Sequence, residues 1–328
     1  MKDLMLETAQ GLGATLYMPA INPHARRVFG GEDLYGAGSV VICLEDALHE
    51  NDVERGLAGL RTMLIERKAA GTHAAQRTMV FIRPRNLAMA HVIAEMDGLE
   101  TISGMIVPKM SVINGPGWFE LACDHRLTLM PTFETAEYFD PGYVAEAVRM
   151  LDAQSRGMAL AIRLGGNDLL NAMSLRRAPR IISHEGPLGF VLGMMGSQLM
   201  AAGYAVAAPV FDIIHDTCTL EREVGMDVLR GFVGKTAIHP CQIPIIHEAL
   251  RVSAHDLEMA DAILDSRAEA VFQIRGVMCE PATHRGWARR IQARATRWGV
   301  AMSAHHEHAQ GTVSAAMPRA SAGLLHTA

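Results

Sequence analysis

The sequence predicts an α/β fold, because short apolar runs bounded by turns alternate with longer stretches of helical spacing. The alternation repeats eight times along the chain. Strict alternation of strand and helix implies a parallel sheet, and eight such units fit a closed barrel more easily than an open sheet. We therefore expect a (β/α)8 TIM barrel followed by a C-terminal helical arm.

The eight apolar runs are the predicted strands. Between them lie stretches such as NDVERGLAGLRTMLIERKAA and YVAEAVRMLDAQS, whose apolar residues recur at helical spacing. Each stretch has an acid or an Asn near its start, where capping and the helix dipole favour one. The strands are predicted at residues 15–19, 39–44, 78–82, 104–107, 127–132, 158–164, 206–211 and 234–238.

The length of 328 residues exceeds one barrel of about 250 residues, which suggests a terminal extension. We expect a barrel catalytic domain at 1–255, a helical arm or lid at 256–300, and a tail at 301–328. Helical segments at 256–272 and 281–298 are separated by the turn QIRGVMCEP. The tail has no usable periodicity, so we interpret its His305, His306 and His308 as a solvated run and not as metal ligands.

Composition and charge exclude several classes of protein. With 49% hydrophobic and 20% charged residues the chain can build a large core, and its net charge of −5 with scattered basic residues disfavours nucleic-acid binding. No apolar run approaches the roughly 18 residues of a membrane span, and MKDLMLETAQ lacks the order of a secretion signal, so we expect a cytoplasmic protein. The cysteines are odd in number and form no CxxC pair, which predicts reduced thiols and no structural zinc. They are Cys43, Cys123, Cys218, Cys241 and Cys279.

Unusual polar residues cluster at the C-terminal ends of the predicted strands. In a barrel these ends form one rim, which carries the active site in essentially every characterised enzyme of this fold. Two glycines before one of the acids, Gly165 and Gly166, would let the backbone approach a ligand closely. The rim residues are Glu45, Asp46, Arg83, Arg85, Lys109, Glu134, Asn167, Asp168 and His239.

Two acids of adjacent predicted strands are candidate metal ligands. Glu134 follows the fifth strand and Asp168 the sixth, so their carboxylates can converge on one hard cation. Magnesium suits this arrangement, since it takes only one or two protein carboxylates and leaves its other positions to water and substrate. The alternative is that Glu134 caps the next helix and Asp168 caps its own.

Three basic residues complete the candidate site. Arg83 and Arg85 flank a proline, and a guanidinium fork binds a carboxylate bidentately, which favours Arg83 as the substrate anchor. For Arg85 the alternative is a salt bridge to Glu45 or Asp46. Lys109 is interpreted as an electrostatic residue, and the alternative is a Schiff-base lysine activated by desolvation.

Seven motifs, in this order, resemble the citrate lyase beta-subunit family and the wider HpcH/HpaI aldolase group, which includes malyl-CoA lyases. They cover roughly residues 15–298 at suitable spacing. The motifs are LYMPAINP, VICLEDAL, FIRPRN, GMIVPKM, PTFETAEY, LGGNDLL and GKTAIHPCQI, followed by GVMCEP in the arm.

The resemblance implies a TIM barrel whose Glu134 and Asp168 bind Mg²⁺ and whose Arg83 holds an α-keto acid such as oxaloacetate, pyruvate or glyoxylate. It further implies that Glu45 and Asp46 orient the site. Members of the family form trimers or hexamers whose C-terminal arm closes over a neighbouring subunit's site. We therefore expect a homotrimer or homohexamer.

Three positions depart from the family pattern. The chain has PAINP where the family usually has PGNRP, which removes an arginine that often helps with the thioester or phosphate end. Asn167 stands where an acid often precedes the metal aspartate, and GVMCEP is one residue shorter than the usual GxMVDxP, so Glu280 is the candidate for its acid. These departures leave open whether the substrate is an acyl-CoA.

The function expected from these residues is that of a magnesium-dependent carbon–carbon lyase, of aldolase or retro-Claisen type, which releases an α-keto acid from a citryl-CoA- or malyl-CoA-like substrate. Mg²⁺ would polarise the keto oxygen as a Lewis acid. Arg83, with Arg85, Gly166 and Asn167, would bind the substrate, and an acid such as Glu280 or Asp46 would move the proton. The alternatives are an acyl-CoA thioester hydrolase of malyl type and a non-catalytic keto-acid-binding protein.

Overall fold

The structure is a computed structural model that describes residues 2–32, 34–71, 77–155 and 157–301. Most of the predicted tail, with its three histidines, lies outside the described residues. None of the helices in these ranges is both long and apolar enough to cross a membrane.

Eight parallel strands form the centre of the molecule. From the first strand to the seventh, consecutive strands pair with each other. The first strand also pairs with the eighth, and a bridge between Ala208 and Lys235 joins the seventh to the eighth, so the barrel closes. The prediction of a (β/α)8 barrel is confirmed. The strands are β1 (Gly13–Pro19), β2 (Ser39–Cys43), β3 (Met79–Arg83), β4 (Gly104–Val107), β5 (Thr128–Phe133), β6 (Ile162–Leu164), β7 (Val206–Ala207) and β8 (Gly234–Ala237).

Helices surround the barrel and cover its base. Their buried faces pack on the outward-facing residues of the strands and form the larger of the hydrophobic clusters. They are α1 (Lys2–Ala9), α2 (Ala25–Gly30), α3 (Val53–Ala70), α4 (Leu87–Ala94), α5 (Gly115–His125), α6 (Pro141–Gln154), α7 (Gly166–Ala172), α8 (Leu188–Ala201), α9 (Thr217–Leu229), α10 (Gln242–Leu250), α11 (Ala254–Leu264) and α12 (Pro281–Trp298). Single 3₁₀ turns lie at Glu50–Asp52, Leu99–Thr101 and Ala136–Phe139.

Two strands, β6 and β7, are shorter than predicted by four residues each. β6 begins at Ile162, after an isolated bridge between Leu129 and Ala159, and β7 ends at Ala207. The run after β7 continues with Pro209, which has no backbone N–H to donate to a neighbouring strand. The apolar residues beyond it are buried as a loop and not as a strand.

A second apolar cluster fills the lower half of the barrel. The inward-facing Val41, Phe81 and Ile106 are fully buried there, and Leu12 closes the base from below. α1 packs against this cluster with Met5 and Leu6. This cluster closes the barrel interior toward the base, so a ligand that enters the interior does so from the rim at the C-terminal strand ends.

The arm differs from its predicted form. The helix predicted at 256–272 ends at Leu264, because the Asp265 carboxylate accepts the backbone N–H of Arg267 and stabilises a turn instead. A short antiparallel hairpin follows, β9 (Phe272–Ile274) and β10 (Val277–Cys279), with Arg275 and Gly276 in left-handed conformations at its turn.

Helix α12 anchors the arm at the barrel base. The indole N–H of Trp298 donates to the Gln10 carbonyl, and the ring lies 4.3 Å from that of His247. Gly13 has no side chain at this contact, and a Cβ there would overlap the indole. The anchored end of α12 is therefore at the opposite end of the barrel from the rim.

A buried ion network lies between β8 and α9, outside the barrel interior. Lys235 Nζ lies 2.7 Å from Glu223 Oε1 and 2.8 Å from Asp227 Oδ2, and all three side chains are almost fully buried. Arg177, in the segment after α7, contacts Glu223 at 2.6 Å, and His184 contacts Asp227 at 2.7 Å. The network therefore ties the segment after α7 to the barrel wall.

Candidate active site

Arg83 joins the two buried glutamates of the rim. It ends β3, and its Nη2 lies 3.0 Å from Glu45 Oε2 and 2.9 Å from Glu134 Oε1. Burial alone would lower the pKa of Arg83, but the negative charges of Glu134 and Glu45, with smaller contributions from other neighbours, together outweigh burial and raise that pKa. The Arg83 Nε is buried and has no hydrogen-bond partner within the described residues, so one donor of the fork is unengaged.

Lys109 connects the same carboxylates to the outer rim. Its Nζ lies 2.7 Å from Glu45 and 3.1 Å from Asp46, and its backbone N–H donates to Glu134 Oε1 at 2.8 Å. That bond requires a left-handed backbone at Lys109, with φ of 47°, which is costly for a residue with a side chain. Burial would lower the pKa of Lys109, but Glu45 and Asp46 outweigh it and raise that pKa.

Asp168 lies close enough to Glu134 for its negative charge to affect the ionisation of Glu134. Burial raises the pKa of Glu134 to about 7, Arg83 opposes this, and the negative charge of Asp168 adds to it. Both hydrogen bonds that reach Glu134 from Arg83 and Lys109 end on Oε1, which leaves Oε2 for a ligand. Asp168 has no hydrogen bond or ion pair with the described residues, so no protein cation balances it.

Neither acid acts as a helix cap. The residue that caps α7 is Gly165, and Asp168 lies within the first turn of that helix. Thr135, and not Glu134, occupies the cap of the 3₁₀ turn that follows β5. The candidate metal ligands are therefore the two carboxylates of Glu134 and Asp168. The described part of the chain contains no cluster of three or more His, Cys, Asp or Glu side chains able to hold a metal. Two carboxylates fit Mg²⁺, which keeps most of its water ligands, better than Zn²⁺.

The glycines before Asp168 are closely packed by protein atoms on the side where a Cβ would lie. A Cβ on Gly165 would overlap the side chain of Glu134, and a Cβ on Gly166 would lie 2.8 Å from the Cβ of Pro209. The glycines therefore allow the end of β6 to pack closely against β5 and the loop after β7, and the approach of their backbone to a ligand stays a prediction. Asn167 is exposed beside them, and its proposed contact with substrate stays a prediction.

Arg85 lies at the edge of a pocket of about 590 Å³ beside the buried carboxylates. Its Nη2 donates to the Leu48 carbonyl at 2.8 Å, and its Nη1 lies 3.9 Å from Glu50. The salt bridge to Glu45 that was an alternative for Arg85 is made by Arg83 instead. The pocket is lined by Glu45, Asp46, Ala47, Leu48, His49, Glu50, Arg85 and Lys109.

Two predicted residues lie apart from this cluster. Glu280 is at the start of α12, where its backbone N–H donates to His284 Nδ1 and its carboxylate accepts the Thr283 hydroxyl at 3.1 Å. No described contact joins it to the rim of its own barrel, because the arm leaves the barrel from the base. On the rim itself, His239 contacts the neighbouring Cys241, with Nδ1 to Sγ at 3.0 Å.

Two polar side chains that were not predicted from the sequence lie inside the barrel, below Arg83. Arg163 of β6 lies with its Cζ 5.2 Å from the ring centroid of Tyr17 of β1. Arg163 Nη1 lies 3.4 Å from Thr15 Oγ1, and Nη2 donates to Thr236. The available signal was a single arginine within the apolar run ALAIRLGG, which at strand spacing points into a barrel interior.

Comparison with known families identifies the chain. The profile of the carbon–carbon bond lyases of the TIM-barrel fold matches residues 6–300. The chain belongs to this family. The match covers the barrel and the arm, and it confirms the resemblance drawn from the seven motifs and the assignment to carbon–carbon lyases.

Two curated relatives match part of this lyase. It is 26% identical over 123 residues to the citrate lyase subunit beta of Haemophilus influenzae, which is 36% of this chain and 40% of that protein. It is 31% identical over 116 residues to the (3S)-malyl-CoA thioesterase of Cereibacter sphaeroides, which is 35% of this chain and 39% of that protein. The chain thus aligns with about 40% of the length of either relative.

Solved structures of similar fold cover more of the lyase. The Mycobacterium tuberculosis CitE protein in complex with magnesium, acetoacetate and coenzyme A has a TM-score of 0.62 at 21% identity, over 88% of this chain and 99% of that one. The citrate lyase beta subunit of that organism with oxaloacetate and magnesium has a TM-score of 0.54 at 21% identity, over 74% and 98%. A malate synthase of Haloferax volcanii has a TM-score of 0.58 at 14% identity, over 72% of each chain. At these identities the likeness shows the fold alone.

Proposed function

We propose that this lyase is magnesium-dependent and releases an α-keto acid from a citryl-CoA- or malyl-CoA-like substrate by aldol or retro-Claisen cleavage. The observation that carries the proposal is the pair of carboxylates at the ends of β5 and β6. Among the described residues, the hydrogen bonds from Arg83 and Lys109 both reach one oxygen of Glu134 and leave the other unengaged, and no cationic side chain pairs with Asp168. Two of the solved relatives of similar fold contain magnesium with a keto acid, acetoacetate or oxaloacetate.

Glu134 and Asp168 would hold the Mg²⁺. Bound there, the ion supplies a Lewis acid for the keto oxygen. The chain's own residues orient the reactants. Arg83 holds the carboxylate of the keto acid, Lys109 holds the Glu45 side chain in place through its ion pair, and Asp46, 63% exposed, moves the proton of the substrate hydroxyl. Gly166 and Asn167 line the same turn of α7.

The substitution Arg83→Lys is expected to weaken binding of pyruvate or oxaloacetate by about 1.5–3 kcal/mol, which is roughly 10- to 150-fold in Kd. Lysine keeps the charge but loses the second donor of the fork. Isothermal titration of the keto acid in the presence of Mg²⁺ measures the change. The exposed Arg61→Lys serves as the matched control, and an Arg83→Lys protein that retains the wild-type Kd would remove Arg83 as the anchor.

Borohydride added with pyruvate or oxaloacetate is expected to trap no adduct on Lys109, while EDTA is expected to inhibit reversibly. A Schiff base needs a neutral amine, and the carboxylates of Glu45 and Asp46 favour the ammonium form. Intact mass and peptide mapping measure the labelling, and Lys109→Met defines the background from other lysines. A mass shift on the Lys109 peptide that survives in EDTA would replace the metal mechanism with an aldolase of Schiff-base type.

Product analysis tests the proposed reaction. The purified protein is incubated with Mg²⁺ and malyl-CoA or citryl-CoA, and the products are separated. Glyoxylate or oxaloacetate is the expected product of a lyase, whereas free malate with CoA would identify a thioester hydrolase. Keto-acid binding without turnover of any acyl partner would identify a non-catalytic binding protein.

The proposal extends to assembly and localisation. We propose a cytoplasmic homotrimer or homohexamer in which Glu280, separated from the rim of its own chain, reaches the rim of a neighbouring subunit. In this assembly residues 1–255 form the catalytic barrel, and the arm at residues 256–300 extends from one subunit to the next. Mass measurement by light scattering of the full chain tests the oligomeric state.

A further inference from the structure

The position of the Asp168 carboxylate depends on the backbone of helix α7. Asp168 lies in the first turn of this helix, and its side chain makes no hydrogen bond or ion pair with the residues that the structure describes. Glu134 differs, because Arg83 and the backbone of Lys109 hold its carboxylate directly. Whatever fixes the first turn of α7 therefore also fixes Asp168 relative to Glu134.

The first turn of α7 packs against the loop that follows β7, at residues 208–216. Gly166 begins the helix, and a Cβ at this position would lie 2.8 Å from the Cβ of Pro209, so the helix backbone and the proline are in close contact. β7 ends at Ala207, with one further bridge at Ala208, and Pro209 has no backbone N–H to donate to a strand. The course of this loop therefore depends on side chains that bind it from outside the sheet.

Arg177, in the segment after α7, binds this loop at neighbouring residues. Its Nη2 donates to the Val210 carbonyl at 2.8 Å, its Nε lies 2.8 Å from Asp212 Oδ1, and its Cζ lies 4.7 Å from the ring centroid of Phe211. The side chain is only 4% exposed, and Glu223 of α9, 2.6 Å from Nη1, balances its charge. One buried guanidinium thus joins the segment after α7 to the loop that supports the first turn of α7.

We propose that Arg177 is a positioning residue for the metal-binding carboxylate of Asp168. Arg177 fixes the loop after β7, and Pro209 of that loop supports the turn that presents Asp168. The inference rests on the proposed function, because it concerns the Mg²⁺ site, and it adds to that site a residue of the buried ion network. The buried network then supports the geometry of the metal site as well as the stability of the barrel wall.

Lys235 of the same network provides the matched comparison. Its described side-chain contacts are with Glu223 and Asp227 of α9, at 2.7 and 2.8 Å, and not with the loop after β7. Loss of Lys235 or of Arg177 removes a buried cation from Glu223, so either change is expected to lower the free energy of unfolding. Only the loss of Arg177 also releases the loop, so the two variants separate positioning from stability.

Calorimetric titration with Mg²⁺ compares Arg177→Met with Lys235→Met, after circular dichroism has shown that each is folded. We expect Arg177→Met to weaken Mg²⁺ binding by about 10-fold, the lower end of the range for residues that support metal ligands. Lys235→Met is expected to bind Mg²⁺ as the wild type does. Arg177→Lys keeps the charge but loses the fork, so it is expected to weaken binding less, and it takes the place of Arg177→Met if that variant does not fold.

Hydrogen exchange of the metal-free protein tests the same connection without Mg²⁺. Mass spectrometry of the peptide that covers Gly166–Ala172 measures the opening of α7, and we expect faster exchange in Arg177→Met than in the wild type or in Lys235→Met. Wild-type Mg²⁺ affinity in Arg177→Met, or an equal loss of affinity in both variants, would overturn the inference and leave the metal site in place. A wild-type protein that binds no Mg²⁺ would reject the proposed function and the inference with it.

Discussion

Asp168→Asn is expected to weaken Mg²⁺ binding by about 100-fold or more and to remove Mg²⁺-dependent activity. Loss of a residue that only supports a metal ligand typically lowers affinity 10- to 100-fold, so loss of a direct ligand is expected to cost at least as much. The change keeps the size of the side chain and removes its charge. Since Asp168 has no hydrogen bond or ion pair with the described residues, the fold around it is expected to be unaffected.

Calorimetric titration with Mg²⁺ measures this effect. Glu134→Gln is the second variant, and it is expected to reduce affinity while its Oε1 still accepts from Lys109 and Arg83. Asp124→Asn removes one exposed carboxylate from α5 and is the control for a general change in charge. If the double variant of Glu134 and Asp168 binds Mg²⁺ as tightly as the wild type, the metal site is elsewhere.

Lys235→Ala is expected to lower the free energy of unfolding by about 3–5 kcal/mol. The change leaves the carboxylates of Glu223 and Asp227 buried without their shared cation. Urea unfolding followed by circular dichroism measures the loss. Lys68→Ala is the matched control, because Lys68 also contacts two acids but on the surface, and it is expected to change the free energy of unfolding far less than Lys235→Ala does.

The difference in free energy of unfolding between wild type and Lys235→Ala is expected to depend on pH if it has an electrostatic origin. Burial alone would raise the pKa of Glu223, but Lys235 and Arg177 outweigh it and lower that pKa to about 2, from an ordinary value of 4.5. A lowered carboxyl pKa stabilises the folded state fully above pH 4.5 and progressively less as the pH falls toward 2. The difference in free energy of unfolding between wild type and Lys235→Ala should therefore become smaller as the pH falls from 4.5 toward 2. A gap that is constant with pH would indicate lost packing instead of lost charge pairing.

The location of the candidate site was predictable because strand order follows chain order in this barrel. Residues that end consecutive strands, such as Glu45, Arg83 and Lys109, are then neighbours on the rim without further information. Their contacts were less predictable. Two arginines flank the same proline, and the sequence left a salt bridge to Glu45 or Asp46 as the alternative for Arg85, whereas Arg83 is the residue that lies between Glu45 and Glu134.

The arm shows where periodicity fails. The pattern after residue 256 continues at helical spacing to 272, but the Asp265 side chain bonds the Arg267 backbone and the helix stops at Leu264. A pattern of apolar residues does not show such a hydrogen bond between side chain and backbone, which competes with the hydrogen bonds of the helix. Glu280 was placed near the site by motif alone, and the structure has it on an arm that leaves from the base of the barrel.

By itself, the sequence determined the barrel, its open rim and the identity of the rim acids, because each follows from local periodicity and from the order of the strands. The tertiary structure decided which charges pair. Lys235 and Thr236 are consecutive in β8, yet Lys235 meets Glu223 outside the barrel while Thr236 accepts from Arg163 inside it. Tyr17 of β1 and Arg163 of β6 likewise come from strands that are far apart in the sequence. Such pairs depend on the closure and stagger of the barrel, which bring side chains together across its interior and which no local pattern encodes.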